Sequence, residues 1–89
     1  MTESLYEIRI THRAGKDIKK LTSKLKHKLH DILTEVIAKD PFQGKKLMGD
    51  LEGSYSYRLN FQDRIIYSID TEKKIVYIEQ ARTHYGDRF

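Results

Sequence analysis

Hydrophobic and polar residues alternate near the start of the chain and then change period. Tyr6, Ile8 and Ile10 alternate with Glu7, Arg9 and Thr11, the rhythm of a strand with one apolar face. Apolar residues next recur at Ile18, Leu21, Leu25, Leu29, Ile32, Leu33, Val36 and Ile37. Steps of three and four stack them into one helical stripe. The stripe reads as one long helix or as two shorter ones. Thr22-Ser23 offers a second start, because a hydroxyl there can accept from the free N–H groups of the next turn. Asp40-Pro41 closes the helical region, since the residue before a proline avoids the α conformation.

Residues 42–54 (FQGKKLMGDLEGS) hold three of the five glycines and read as an irregular connector. Three strand signals follow, at residues 55–60, 64–69 and 74–81. Their connectors are short, so an antiparallel meander is the natural pairing. The first strand rejoins the sheet after a helical crossover, and beside the last strand it would pair in parallel. The expected fold is α+β: an antiparallel sheet with helices packed on one face. No repeat or linker divides residues 1–89, so one domain is expected.

Size and charge narrow the picture. A chain of 89 residues buries only about 60–65% of its unfolded surface, so its stability is marginal and a partner matters. No apolar run approaches the ~18 residues of a membrane span, and the opening MTESLYEIRI lacks a signal peptide's apolar centre. A soluble cytoplasmic protein is expected. With no cysteine, disulfides, thiolate metal sites and thiol nucleophiles are excluded. The net charge of +4 is unevenly spread, because residues 13–46 carry ten Lys/Arg and four acids and so sum to +6. Such a segment attracts polyanions, phosphates above all. A solvated lysine-rich helix face accounts for the same run.

The catalytic inventory is thin. There is no Walker loop, nucleophile elbow or dinucleotide fingerprint. His27 and His30 are three apart on a helix, but a third ligand at metal spacing is missing, so solvated histidines are the reading and no metal or cofactor is expected. His12, at the strand-to-helix junction, is explained by capping or solvation. The C-terminal half is richer. Arg58 and Arg64 flank a tight hairpin, Arg82, His84 and Tyr85 follow the last strand, and Gly44-Lys45-Lys46 precede the meander. Cations, an imidazole and a phenol converging on a sheet face suit a phosphodiester. When RNA is cut by its own 2′-OH, charge builds on the phosphoryl oxygens, and fixed guanidinium and ammonium groups stabilise it most in the transition state. A histidine can protonate the departing 5′ oxygen, and an aromatic ring can stack on a splayed base.

One geometric condition governs this constellation. Arg58 and Arg64 share a face only if the loop between them has an odd number of residues, or if a bulge shifts the register. The alternative is surface charge pairing of these arginines with Glu52, Asp63 or Glu79.

At these residues the sequence resembles the RelE/ParE superfamily of bacterial type II toxins, and most the RelE and YoeB-like branch. The matching stretch is PFQGKKLMGDLEGSYSYRLNFQDRIIYSID followed by IEQARTHY. The first strand and basic helical pair fit the family's order too. The resemblance implies a helical hairpin on a twisted antiparallel sheet. It implies a ribosome-dependent endoribonuclease that cuts mRNA, and a wrapping antitoxin with an acidic disordered segment. In this register Arg64 contacts the scissile phosphate, Arg58 and Arg82 are basic residues beside it, and His84 is the general acid. Tyr85 orients or stacks.

The chain also departs from the family. Where YoeB-like toxins carry a glutamate as candidate general base, this connector holds Lys45 and Lys46. Lys46 would act as a base with a depressed pKa or as a purely electrostatic group, with Lys45 binding substrate. The chain continues GDRF after His-Tyr, which resembles the tail of other RelE relatives. In that second register Asp87 and Phe89 join His84, and Phe89 meets the base. ParE toxins share the fold, inhibit DNA gyrase and need no RNA-cutting site. A non-catalytic RNA- or protein-binding module is the third alternative. On the nuclease reading, Lys16, Lys19, Lys20, Lys24, Lys26 and Lys28 dock on ribosomal RNA while the sheet face reaches the mRNA.

Overall fold

The computed structural model describes residues 5–49 and 52–82. Strand β1 (Glu7–Ile10) leads into helices α1 (His12–Lys19) and α2 (Ser23–Ile32). A π-helical turn at Leu33–Ile37 and a 3-10 turn at Pro41–Gln43 follow. The chain then forms a two-residue strand β2 (Lys45–Lys46), β3 (Ser54–Arg58), β4 (Arg64–Asp70) and β5 (Ile75–Arg82). The sheet order is β1-β5-β4-β3-β2. β1 runs parallel to β5 and all other pairs are antiparallel. The α+β architecture expected from the periodicity is therefore present, with β1 beside the last strand.

The helical stripe is divided at Thr22. Its side chain accepts from the N–H of Leu25 at 3.2 Å and starts α2, while Leu21 buries itself in the bend. Thr11 does the same for α1, accepting from Ala14 N–H at 3.1 Å and donating to the carbonyl of Ile78 at 3.0 Å. The stripe does not end as a regular helix. The N–H of Ala38 reaches back five residues to the Leu33 carbonyl at 2.9 Å. This wide turn lets both Ile37 and Ala38 face inward. The region read as an irregular connector also has more order than expected. Asp40 accepts from Phe42 N–H, and Pro41 starts the 3-10 turn, where its missing N–H is no loss. Lys45 and Lys46 then add an edge strand to β3.

One face of the sheet carries the core. Ile65, Tyr67, Val76 and Ile78 are fully buried with Ala14, Leu29, Leu33 and Ile37 from the helical layer. Each of the larger aliphatic side chains contributes about 1.5–3 kcal/mol by leaving water. The Tyr67 hydroxyl crosses this layer to donate to the Pro41 carbonyl at 2.7 Å. Its ring stacks on Tyr55 at 5.8 Å. Burial pushes the Tyr67 phenol up to about 12. Gly44 passes against the Tyr67 hydroxyl, and a Cβ there would collide with that oxygen and sit 2.7 Å from the Ser56 carbonyl. Glycine at 44 is thus required by close approach.

Candidate active site

The sheet face opposite the helices has a different composition. Directly paired residues of neighbouring strands point to the same side. Arg58 is paired with Arg64, and Arg64 with Arg82. Three guanidinium-bearing residues therefore stand in one row across β3, β4 and β5, all exposed. Like charges directly opposite destabilise a sheet, so the row is an arrangement that an anion would relieve.

Two local devices create it. The first is the β3–β4 loop, residues 59–63, whose odd length satisfies the parity condition. Asn60 Oδ1 accepts from the N–H groups of Gln62 (2.9 Å) and Asp63 (2.8 Å), and Asn60 Nδ2 donates to the Asp63 carboxylate at 2.9 Å. The Leu59 N–H donates to the Asp63 carbonyl at 2.7 Å. Leu59 and Asp63 are buried, while Phe61 at the tip is 85% exposed. The second device is a bulge in β5. Ile66 pairs with Gln80 but Tyr67 pairs with Ile78, so Glu79 is an extra residue. Without it Arg64 would face Ala81, and Arg82 would project to the helix side. The bulge is tied down at both ends. Ser68 Oγ donates to the Glu79 carboxylate at 2.8 Å, and the Asp17 carboxylate of α1 accepts the Ala81 N–H at 3.1 Å.

Next to the row lies an open cleft of about 620 Å³. Lys45, Arg58 and Arg64 line it together with Gln43, Phe61 and Gln62. Lys45 pairs with Ser56, two residues from Arg58, and so lies on the arginine face. Lys46 pairs with Tyr55, places its side chain on the helix side, and is not in the cleft lining. The structure thus gathers Arg58, Arg64, Arg82 and Lys45 and leaves Lys46 apart. Among the described residues, Arg58, Arg64 and Arg82 form no ion pair, whereas Arg9 on β1 is held by Glu7 at 2.7 Å. The expected alternative, pairing with Glu52, Asp63 or Glu79, is not seen for the three. His84, Tyr85, Asp87 and Phe89 lie outside the described residues.

Lys16 and Lys19 lie on α1, Lys20 just beyond it, and Lys24, Lys26 and Lys28 on α2, all six exposed. They belong to the helical layer and do not join the cleft. No metal-binding cluster of His, Asp or Glu occurs among the described residues, and none of their helices is long and apolar enough to cross a membrane. Sequence reasoning overlooked Phe61. Its signal was a large apolar residue inside the polar turn Asn60-Phe61-Gln62-Asp63, where burial cannot explain it.

Fold and cleft together define a small α+β protein that presents, on an open sheet face, a row of cations unpaired among the described residues. The sequence profile of the ParE-like toxins of type II bacterial toxin–antitoxin systems matches residues 8–86. The chain belongs to that family, within the RelE/ParE superfamily of type II toxins. Among solved structures it is similar to the toxin–antitoxin complex RelBE2 from Mycobacterium tuberculosis, at 27% identity and a TM-score of 0.83, over 90% of this chain and 99% of that one. It is similar to the isolated E. coli RelE toxin at 26% identity and a TM-score of 0.73, over 88% of this chain and 83% of that one. It is also similar to the YoeB–YefM complex from Staphylococcus aureus at 25% identity and a TM-score of 0.73, over 90% and 98% of the two chains. No curated protein sequence matches the chain.

Proposed function

We propose that this toxin is an endoribonuclease that cleaves mRNA on the ribosome. The observation that carries the reading is the row Arg58–Arg64–Arg82 beside a cleft shared with Lys45. The 2′-hydroxyl gives up its proton to solvent water as its oxygen attacks the adjacent phosphorus, the bond to the 5′ oxygen breaks, and a cyclic phosphate and a 5′-hydroxyl result. Negative charge grows on the non-bridging oxygens during attack. Arg64 and Arg58 meet it, with Arg82 as the outer cation and Lys45 closing the far side. Cations gathered on one sheet face stand where this charge develops and stabilise it most in the transition state. His84 donates the proton to the leaving 5′ oxygen, and Tyr85 or Phe89 stacks on a base. Lys45 takes the electrostatic part in the cleft that the sequence reading had given to Lys46.

The basic helical layer docks on ribosomal RNA through Lys16, Lys19, Lys20, Lys24, Lys26 and Lys28. Relatives solved as toxin–antitoxin complexes support an antitoxin as the second partner, with an acidic disordered segment complementing the cations. The test is mRNA cleavage on translating ribosomes. Arg64→Ala and His84→Ala should each abolish it, and intact mRNA with wild-type protein would overturn the reading.

The ParE-like profile favours one second reading, inhibition of DNA gyrase. Toxicity with intact mRNA and altered DNA supercoiling would establish it. A phenotype untouched by Arg64→Ala and His84→Ala would instead mark a non-catalytic binding module.

A further inference from the structure

Among the described residues, no ring contact and no core contact accounts for Phe61. It is 85% exposed, it anchors no neighbouring ring among the described residues, and it sits at the tip of a turn whose other members are polar. The turn is rigidly built. The Asn60 side chain bonds three times within it, and buried Leu59 and Asp63 root it in the fold. An exposed aromatic on a preorganised loop loses little entropy when it binds. Phe61 lines the same cleft as Lys45, Arg58 and Arg64. A nucleotide needs both kinds of group, cations for the phosphate and a flat apolar face for the base.

We propose that Phe61 is a nucleobase-stacking residue: its ring packs on an mRNA base beside the phosphate held by Arg58 and Arg64. Gln62 and Gln43 line the same cleft, and their amides offer both donors and acceptors to that base's edge. The inference rests on the ribonuclease reading and adds to it a site that grips a base. Because stacking accepts every base, Phe61 supplies affinity and orientation, and any sequence preference falls to the two glutamines.

Single-turnover cleavage of a defined mRNA on programmed ribosomes tests this. Phe61→Ala should slow cleavage about 5- to 140-fold, the range expected for one lost base stack. Phe61→Trp should restore the rate and Phe61→Leu should not, although all three variants should melt at the wild-type temperature. An mRNA with an abasic nucleotide beside the cut should lose as much with the wild-type toxin, and Phe61→Ala should add no further loss on it. Cleavage by Phe61→Ala at the wild-type rate, rescue by leucine, or fully additive losses on abasic mRNA would overturn the stacking role while leaving the nuclease reading standing. Intact mRNA with wild-type toxin would instead remove the nuclease reading and this inference together.

Discussion

The two faces of this sheet are made by the same strands and have opposite tasks. Toward the helices, β4 and β5 present Ile65, Tyr67, Val76 and Ile78, all at 0% exposure. Away from them, β3, β4 and β5 present Arg58, Arg64 and Arg82, unpaired among the described residues. The helix-facing side lowers the free energy of folding, whereas the arginine row on the other side opposes it by crowding like charges next to Ile66, which is buried on that side. Because side chains alternate along a strand, a protein this small can specialise the two faces almost independently. Alternation also makes register critical, since a slip of one residue would exchange the two sets.

The sharpest way to break the comparison is Arg64→Ala. It should reduce mRNA cleavage by at least 100-fold, the loss expected for one preorganised cation at a developing charge. The melting temperature should be unchanged or higher, because repulsion along the row is relieved. A clear fall in stability would mean that the arginine belongs to the structural face after all. Ile78→Ala tests the opposite face. It should cost about 2–5 kcal/mol in denaturant unfolding, the range for truncating a buried isoleucine.

The Tyr67 phenol offers a third probe. Its pKa is about 10 in an unfolded chain and about 12 in the fold. Between those values the folded state holds the proton and the unfolded state loses it. The contribution is fully present below pH 10 and declines as the pH rises toward 12, by up to ~2–3 kcal/mol. The difference between wild type and Tyr67→Phe, followed by urea unfolding at pH 9 and pH 11, should isolate it. A difference that does not vary with pH would show that the hydroxyl is not sequestered.

Charge reversal at Lys19, Lys20 and Lys24 addresses the helical layer, where neither packing nor cleavage chemistry is at stake. Ribosome binding should weaken and its salt dependence should flatten, with folding untouched. Unchanged binding would separate the lysines from docking. The smallest expected effect is at the exposed Lys39–Glu35 pair, 3.1 Å apart at helical spacing. Lys39→Ala should cost only about 0.3–0.5 kcal/mol.

Periodicity in the chain was enough for the order of elements, because burial imposes its rhythm on every strand and helix that touches the core. The division of the helical stripe at Thr22 was readable for a local reason, a hydroxyl placed to accept from the next turn. The wide turn at Leu33–Ile37 and the strand at Lys45–Lys46 were not, since each depends on what it packs or pairs against. The chemistry divides in the same way. Residue types and their neighbours made Arg58, Arg64, Arg82, Lys45 and Lys46 candidates for binding a phosphate. Tertiary structure alone decided that the first four share a face. It did so through a loop closed by Asn60 and Asp63 and through the extra residue Glu79, held by Ser68 from β4 while Asp17 of α1 takes the neighbouring Ala81 N–H. Lys46 was separated from Lys45 by the same logic, because adjacent residues of a strand point to opposite sides. Composition and spacing are properties of the chain, but register is a property of two strands and whatever pins them, so it becomes definite only when distant segments meet.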